Sequence, residues 1–316
     1  MTRAELAAAG IDDPALQASY RECRELNARH GKTFFLATRL LAPDQRPAVH
    51  ALYGFARRAD DILDGFDPAL SVAERGARLA MLAAQFEAGD TGGDSVLAAT
   101  LHTVERYRIP RALFEAFLTS MRMDLSVTDY PDRDALDHYV YGSAEVIGLQ
   151  LLPILGTAAP AAEAAPYAAA LGKAFQLTNF LRDVDEDLAR DRVYLPADEL
   201  AAHGVDRELL SWCSREGRTE PRVRAALAEQ HARTRAIYDR AQAGIDTLAP
   251  RSRPCVATAS ALYARILEVI EDRDFEIFGH RARVGKAERL WVGGRGVARA
   301  WLARRGEQGR GVQAAQ

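Results

Sequence analysis

Gln176–Asp187 reads QLTNFLRDVDED, and its period decides the fold class. Gln176, Asn179, Asp183 and Asp187 stand at offsets 0, 3, 7 and 11, which at 100° per residue fall within roughly 80° of one another on an α-helix. Leu177, Phe180, Leu181 and Val184 take the adjoining apolar side. Every member of the polar face carries an oxygen donor. An earlier segment repeats the device. In YGFARRADDILD, Tyr53–Asp64, the residues Tyr53, Arg57, Asp60 and Asp64 stand at offsets 0, 4, 7 and 11 and share a face within roughly 60°. Leu52, Ala56, Ala59 and Leu63 flank it. Each face stacks two carboxylates four residues apart, an arrangement that costs a few tenths of a kcal/mol by repulsion unless a cation answers it.

Two helices with oxygen-rich faces are what a hard divalent cation with octahedral oxygen geometry needs. Arg57, Arg182, Arg190 and Arg192 would supply forked donors to phosphate oxygens. A single DxxxD is far more often a solvated surface pair. Two such faces, one with Gln and Asn in line, shift the balance towards metal-bridged diphosphate. A di-iron carboxylate bundle wants Glu-x-x-His pairs, and no Glu here has His three residues on. The seven histidines show no HExxH spacing either. Iron and zinc are disfavoured.

The helical period extends in both directions. It predicts helices over 21–29, 49–64, 73–86, 95–107, 110–126, 134–155, 161–187, 222–248 and 254–279, and an all-α architecture of about ten helices. Pro153 is expected to break or kink the stretch 134–155. No linker divides the chain, so residues 1–305 read as one domain and 306–316 as a disordered tail. The 316 residues, 48% of them hydrophobic, can bury a large core without disulfide or metal staples. With 41 basic and 44 acidic residues the chain lacks the positive excess of a nucleic-acid binder. Cys23, Cys213 and Cys255 are scattered, which fits a reducing compartment. Neither a secretory signal nor a spanning segment is read, because the longest uncharged run, 146–162, is broken by Gln150, Pro153 and Pro160. A cytoplasmic protein is expected.

At these motifs the sequence resembles the phytoene/squalene synthase family of head-to-head prenyl transferases, most closely its bacterial phytoene synthases. The similarity runs from about Tyr20 to Val284. Four blocks carry it: HGKTFFLATRLL (His30–Leu41), YGFARRADDILD (Tyr53–Asp64), MRMDLSVTDY with YVYGSAEVIGLQLLPILG (Met121–Gly156), and QLTNFLRDVDEDLARDRVYLP (Gln176–Pro196). The resemblance implies a single all-α isoprenoid-synthase domain around a central apolar cavity. It implies that Asp60, Asp64, Asn179, Asp183 and Asp187 hold two or three Mg²⁺ ions with the substrate diphosphate. His30, Gly31, Lys32 and Thr33 match a diphosphate-contacting turn, in which many relatives carry Ser instead of Gly31. Tyr53, Arg57, Gln176 and Arg182 match substrate contacts, Tyr263 a late-helix tyrosine near the diphosphates, and Arg192 follows the second motif as a phosphate lid or a solvated loop. Glu145 stands where many relatives have a small residue.

The implied reaction joins two geranylgeranyl diphosphates 1′-1, through a cyclopropylcarbinyl diphosphate, to phytoene. Ionisation of an allylic diphosphate requires charge neutralisation at the leaving group and a dry cavity for the carbocation. Tyr53, Tyr263 or the released diphosphate is the candidate final base. No dinucleotide fingerprint is present, since Gly293-Gly294-Arg295-Gly296 follows no strand, so NADPH is not expected. Small Thr38 favours C20 over C15 chains. The alternatives are a squalene, dehydrosqualene or presqualene-diphosphate synthase using farnesyl diphosphate, or a non-catalytic binding factor of the same fold. The retained aspartates argue against the last. From Arg281 to Arg310 the chain carries nine Lys/Arg against two acids, with Leu290, Trp291, Val297, Trp301 and Leu302 among them. It is either a solvated terminal helix or a peripheral contact with anionic membrane.

Overall fold

Capping chemistry sets the helix boundaries that hydrophobic period alone leaves loose. Thr2 and Ser71 each open a helix with a reciprocal box. The hydroxyl accepts the N–H of Glu5 or Glu74, and that glutamate's carboxylate accepts the cap's own N–H. Asp13, Asp94, Asp132 and Asp206 accept first-turn N–H groups with their carboxylates. Gly89 and Gly217 close two helices in the left-handed conformation, at φ 69° and 63°.

The computed structural model describes residues 1–63, 70–279, 281–282, 284–285 and 300. In chain order its helices are α1 (Arg3–Ala8), α2 (Pro14–His30), α3 (Lys32–Thr38), α4 (Arg46–Leu63), α5 (Val72–Ala88), α6 (Ser95–Tyr107), α7 (Ala112–Met123), α8 (Arg133–Val140), α9 (Val146–Leu155), α10 (Ala161–Leu188), α11 (Ala197–Ala202), α12 (Arg207–Glu216), α13 (Pro221–Ala243) and α14 (Arg253–Asp272). A π-helical turn, Tyr141–Glu145, joins α8 to α9, and a 3-10 turn, Gly244–Thr247, follows α13. Among the described residues there is no β-strand, only two isolated bridges, Asp129 with Val193 and Thr157 with Leu248. The expected all-α class stands.

Several boundaries differ from the sequence reading. The count exceeds ten because α1, α3 and α11 span only six or seven residues, too few to display a period, because the sequence reading omits the ten-residue α12, and because 134–155 divides in two. Helix α2 also begins at Pro14, seven residues before the stretch 21–29. The stretch 134–155 divides at the π turn, whereas Pro153 lies exposed in the last turn of a helix that runs on to Leu155. The π turn has a packing cause. A Cβ on Gly142 would fall 2.1 Å from Ser120 Oγ and 2.3 Å from the Ala116 carbonyl oxygen, so α7 presses directly on bare backbone. Ser120 Oγ also donates to the Tyr139 carbonyl at 2.9 Å, giving a buried acceptor a partner beside the widened turn. Finally, α14 ends at Asp272, and Asp274 and Phe275 then adopt left-handed φ of 52° and 60°.

The 28-residue α10 is about 42 Å long. It packs against the π turn, α9, α13 and α14, while α4 packs against α2, α5 and α6. Helix α9 touches both. Two apolar clusters result. One gathers Leu52, Phe55, Phe86, Phe114 and Phe117 around α4; the other gathers Leu181, Leu210, Leu227, Leu267 and Phe278 around α10. Between them lies an apolar cavity of about 310 Å³ whose walls come from α3, α4, α9, α10 and α14.

Its far end is fastened by polar ties. Buried Gln45 donates to the Ile154 carbonyl at 2.8 Å and to Ser252 Oγ at 2.9 Å, and Ser252 donates to the Leu155 carbonyl at 2.6 Å. The Ala158 N–H donates to the Thr247 carbonyl at 2.7 Å, and the Ala249 N–H to the Gly156 carbonyl at 3.0 Å. No described helix is long and apolar enough to cross a membrane. The tail 306–316 and nearly all of the basic stretch 281–310 lie outside the described residues, as does Asp64.

Candidate active site at the cavity mouth

One member of the α4 face and two of the α10 face open onto one cavity. Tyr53 from α4 and Gln176 and Asn179 from α10 line it together. On α4, Tyr53, Arg57 and Asp60 are half-buried. Arg57 Nη2 lies 2.5 Å from Asp61 Oδ1, one turn on. Burial pushes the Tyr53 hydroxyl up to about 12, against the pull of the Arg57 guanidinium. The phenol is therefore a proton holder at neutral pH.

On α10 the second face continues the mouth. Asn179 Oδ1 is buried with no hydrogen-bond partner. Asp183 is clasped from two sides. Arg182 reaches it with Nε at 2.7 Å and Nη2 at 2.5 Å, and Arg281 with Nε at 2.9 Å and Nη2 at 3.0 Å. Arg281 also meets Glu186 at 3.1 Å. One turn later, burial together with the neighbouring Asp183 charge raises the Asp187 carboxyl to about 7, against the opposing pull of Arg190 and Arg192.

Tyr263 on α14 links the two faces. Its buried ring stacks on Phe175 at 4.3 Å and lies 5.2 Å from Phe34, which in turn lies 6.5 Å from Tyr53. Burial drives its hydroxyl well above the ordinary tyrosine range. The charges that act on it come from Arg182, Asp183 and Arg281, with Tyr53 on the α4 side. Of the turn between α2 and α3, His30 and Lys32 are exposed and Thr33 is half-buried.

Gly31 has a steric cause. A Cβ there would lie 2.6 Å from Tyr53 Cε2 and 2.7 Å from both Tyr53 Cζ and Asn27 Oδ1. The Tyr53 ring occupies the volume that a serine side chain would need. Arg192 turns away from solvent, donating to the Asp124 carbonyl at 2.7 Å and the Tyr194 hydroxyl at 3.2 Å. Glu145 also finds its explanation here: it faces Lys173 Nζ at 3.7 Å, and Lys173 is paired to Asp137 at 2.6 Å.

Several residues at the site escape a sequence reading. Asn27 is fully buried, lines the cavity, and pairs Nδ2 with His50 Nδ1 at 3.0 Å. Burial lowers His50 to about 3, so its ring is neutral and Nδ1 can accept. Asn27 Oδ1 has no partner. An amide on the buried side of a helix was the available signal. Asp124 accepts the Tyr139 hydroxyl at 3.0 Å beside a ring cluster in which Tyr194 stacks on Phe180 at 4.1 Å. Arg281 arrives from 98 residues downstream of Asp183, and no local pattern announces it.

The donor set suits a hard cation. Asp60, Asn179, Asp183 and Asp187 offer oxygens as ligand atoms, Asn179 holds an orphaned acceptor, and burial together with the Asp183 charge disfavours the ionised Asp187 that a cation would favour. Among the described residues no three carboxylate, histidine or cysteine side chains converge closely enough to hold an ion in this arrangement. Asp183 is turned to its two arginines instead.

Comparison with known proteins agrees with this geometry. The squalene/phytoene synthase family profile matches residues 27–288. Phytoene synthase 2 of Solanum lycopersicum, a chloroplastic protein, is 38% identical over 282 residues, covering 87% of this chain and 88% of that one. Phytoene synthase 3 of Zea mays is 37% identical over 288 residues, covering 88% of this chain; the match spans 65% of the maize protein's length. Among solved structures, a dehydrosqualene synthase in complex with ligand superposes with a TM-score of 0.80 at 26% identity, over 90% of this chain and 96% of that one. A squalene synthase of Alicyclobacillus acidocaldarius gives 0.74 at 25% identity, over 85% and 98%.

Proposed function

The chain belongs to the squalene/phytoene synthase family, whose members are prenyltransferases, and from that premise we propose that it joins two C20 prenyl diphosphates head to head to give phytoene. One observation carries the reading: α4 and α10 bring Tyr53, Gln176 and Asn179 to the mouth of a single cavity whose walls are otherwise almost entirely apolar. Charge is handled above, and the hydrocarbon below. The relatives named as phytoene synthases favour this product over squalene-type products. So does Thr38, whose hydroxyl is tied to the Phe34 carbonyl at 2.8 Å, leaving a small side chain on the cavity wall.

The chain's residues divide the work by depth. Asp60, Asp64, Asn179, Asp183 and Asp187 would hold magnesium, which when bound neutralises charge building on the departing diphosphate. Arg57 and Arg182, with the turn His30–Thr33, orient the diphosphates through forked and single donors. As the allylic C–O bond breaks, its electron pair leaves with the diphosphate. The cation stays in a cavity walled by Leu41, Leu52, Leu151 and Phe175, side chains that offer it no nucleophile. The alkene of the second chain attacks and a proton is lost, closing the cyclopropane. A second ionisation, rearrangement and proton loss complete the 1-1′ bond. Tyr53 lines this end of the cavity and Tyr263 backs its Phe34 and Phe175 walls; both are held protonated, and a leaving diphosphate is the stronger base beside them.

The decisive experiment supplies C15 and C20 diphosphates separately with Mg²⁺, with and without NADPH, and identifies the hydrocarbon. Phytoene from the C20 substrate without NADPH is expected. Asp60→Asn and Asp183→Asn should each abolish turnover with helical circular dichroism intact. Full turnover in both variants would overturn the assignment.

A further inference from the structure

Helix α10 lines the cavity along an unbroken stripe from Asn179 down through Phe175, Leu171 and Tyr167 to Ala164. That stripe is a ruler. Twelve residues separate Asn179 from Tyr167, a drop of about 18 Å at the helical rise. An extended three-bond repeat spans about 3.5 Å, so a four-bond isoprene unit spans roughly 4.5 Å. Three units reach about 13.5 Å and four reach about 18 Å on the same basis. The fourth unit therefore ends at Tyr167.

At that level Tyr167 is seated on bare backbone. A Cβ on Gly244 would fall 2.0 Å from Tyr167 Cβ and 2.4 Å from its Cγ. Gly244 has an ordinary φ of −73°, so its missing side chain serves the close approach and not a turn. Both residues line the cavity, and small Ala168, Gly148 and Ala241 line it with them, beside the larger Leu152 and Ile245. Below Tyr167 the stripe continues to Ala164, a further drop of about 4.5 Å, the length of one more unit.

We infer that Tyr167, seated on Gly244, is the stop that sets prenyl-chain length, with Ala168 keeping open the space the fourth isoprene unit occupies. The inference rests on the prenyl diphosphate reading of the same cavity and adds the residues that measure the chain. It predicts opposite changes from two substitutions. Tyr167→Ala admits a fifth unit. Ala168→Phe, or the milder Ala168→Leu, fills the fourth. Tyr167→Phe keeps the bulk and should keep the preference.

The test measures two things on the full-length chain: turnover of C15, C20 and C25 diphosphates with product identification, and dissociation constants for the corresponding unreactive thiolodiphosphates. In the unsubstituted protein affinity should rise about tenfold or more from C15 to C20 and not rise again at C25. Tyr167→Ala should raise the C25:C20 ratio, and Ala168→Phe the C15:C20 ratio, each by about tenfold or more. Unaltered ratios in folded variants, or an unsubstituted affinity series that is flat or still climbing at C25, would overturn the stop. Binding that breaks at C20 in a protein with no turnover would instead refute the proposed reaction and leave the stop standing.

Discussion

Replacing Asp187 with Asn should stabilise the ligand-free protein, and by more at pH 8 than at pH 5. Burial and the Asp183 charge lift this carboxyl from 3.8 to about 7. Between those values the folded state binds a proton that the unfolded state has lost, so stability falls as pH rises through the window. At about 1.4 kcal/mol per pH unit, the full cost is roughly 4 kcal/mol above pH 7 and roughly 1.5 kcal/mol at pH 5. Residual solvent contact reduces both. The difference of about 2.5 kcal/mol between the two pH values, before that reduction, is the more secure quantity. Urea unfolding of wild type and Asp187→Asn at pH 5 and pH 8, without divalent ions, measures it directly. Added Mg²⁺ should narrow the gap at pH 8, since a bound cation favours the ionised carboxylate. An equal stability change at both pH values would refute the argument that Asp187 is held in a charge-repelling, buried setting.

Gly31→Ser should destabilise by about 1–3 kcal/mol through overpacking against the Tyr53 ring, and a thermal melt unchanged from wild type would show that the ring can move aside. Gln45→Ala removes the donor to the buried Ile154 carbonyl and Ser252 hydroxyl, so a loss of about 2–4 kcal/mol is expected in chemical denaturation. Tyr263→Phe keeps the stack on Phe175 and removes only the hydroxyl. Turnover should stay within about threefold at unchanged melting temperature, because the leaving diphosphate and not this hydroxyl takes the proton, and a loss of about tenfold or more would make the hydroxyl part of the proton transfer.

The sequence by itself determined the helical class, the two oxygen faces and the family, because each is written in spacing along a single helix or in a contiguous block. Gln176, Asn179, Asp183 and Asp187 share a face for the same reason that Leu177 and Val184 are buried, namely the 3.6-residue turn. The tertiary structure decided whatever depends on two distant backbones meeting. Arg281 reaches Asp183 across 98 residues, Gly31 yields its side-chain space to Tyr53, and Ser120 with Gly142 widens one turn where Pro153 leaves its helix intact. The depth of the cavity belongs to this second group. It is set by where α10, α9 and the turn after α13 come to rest, and close packing fixes those positions only once the whole chain has folded.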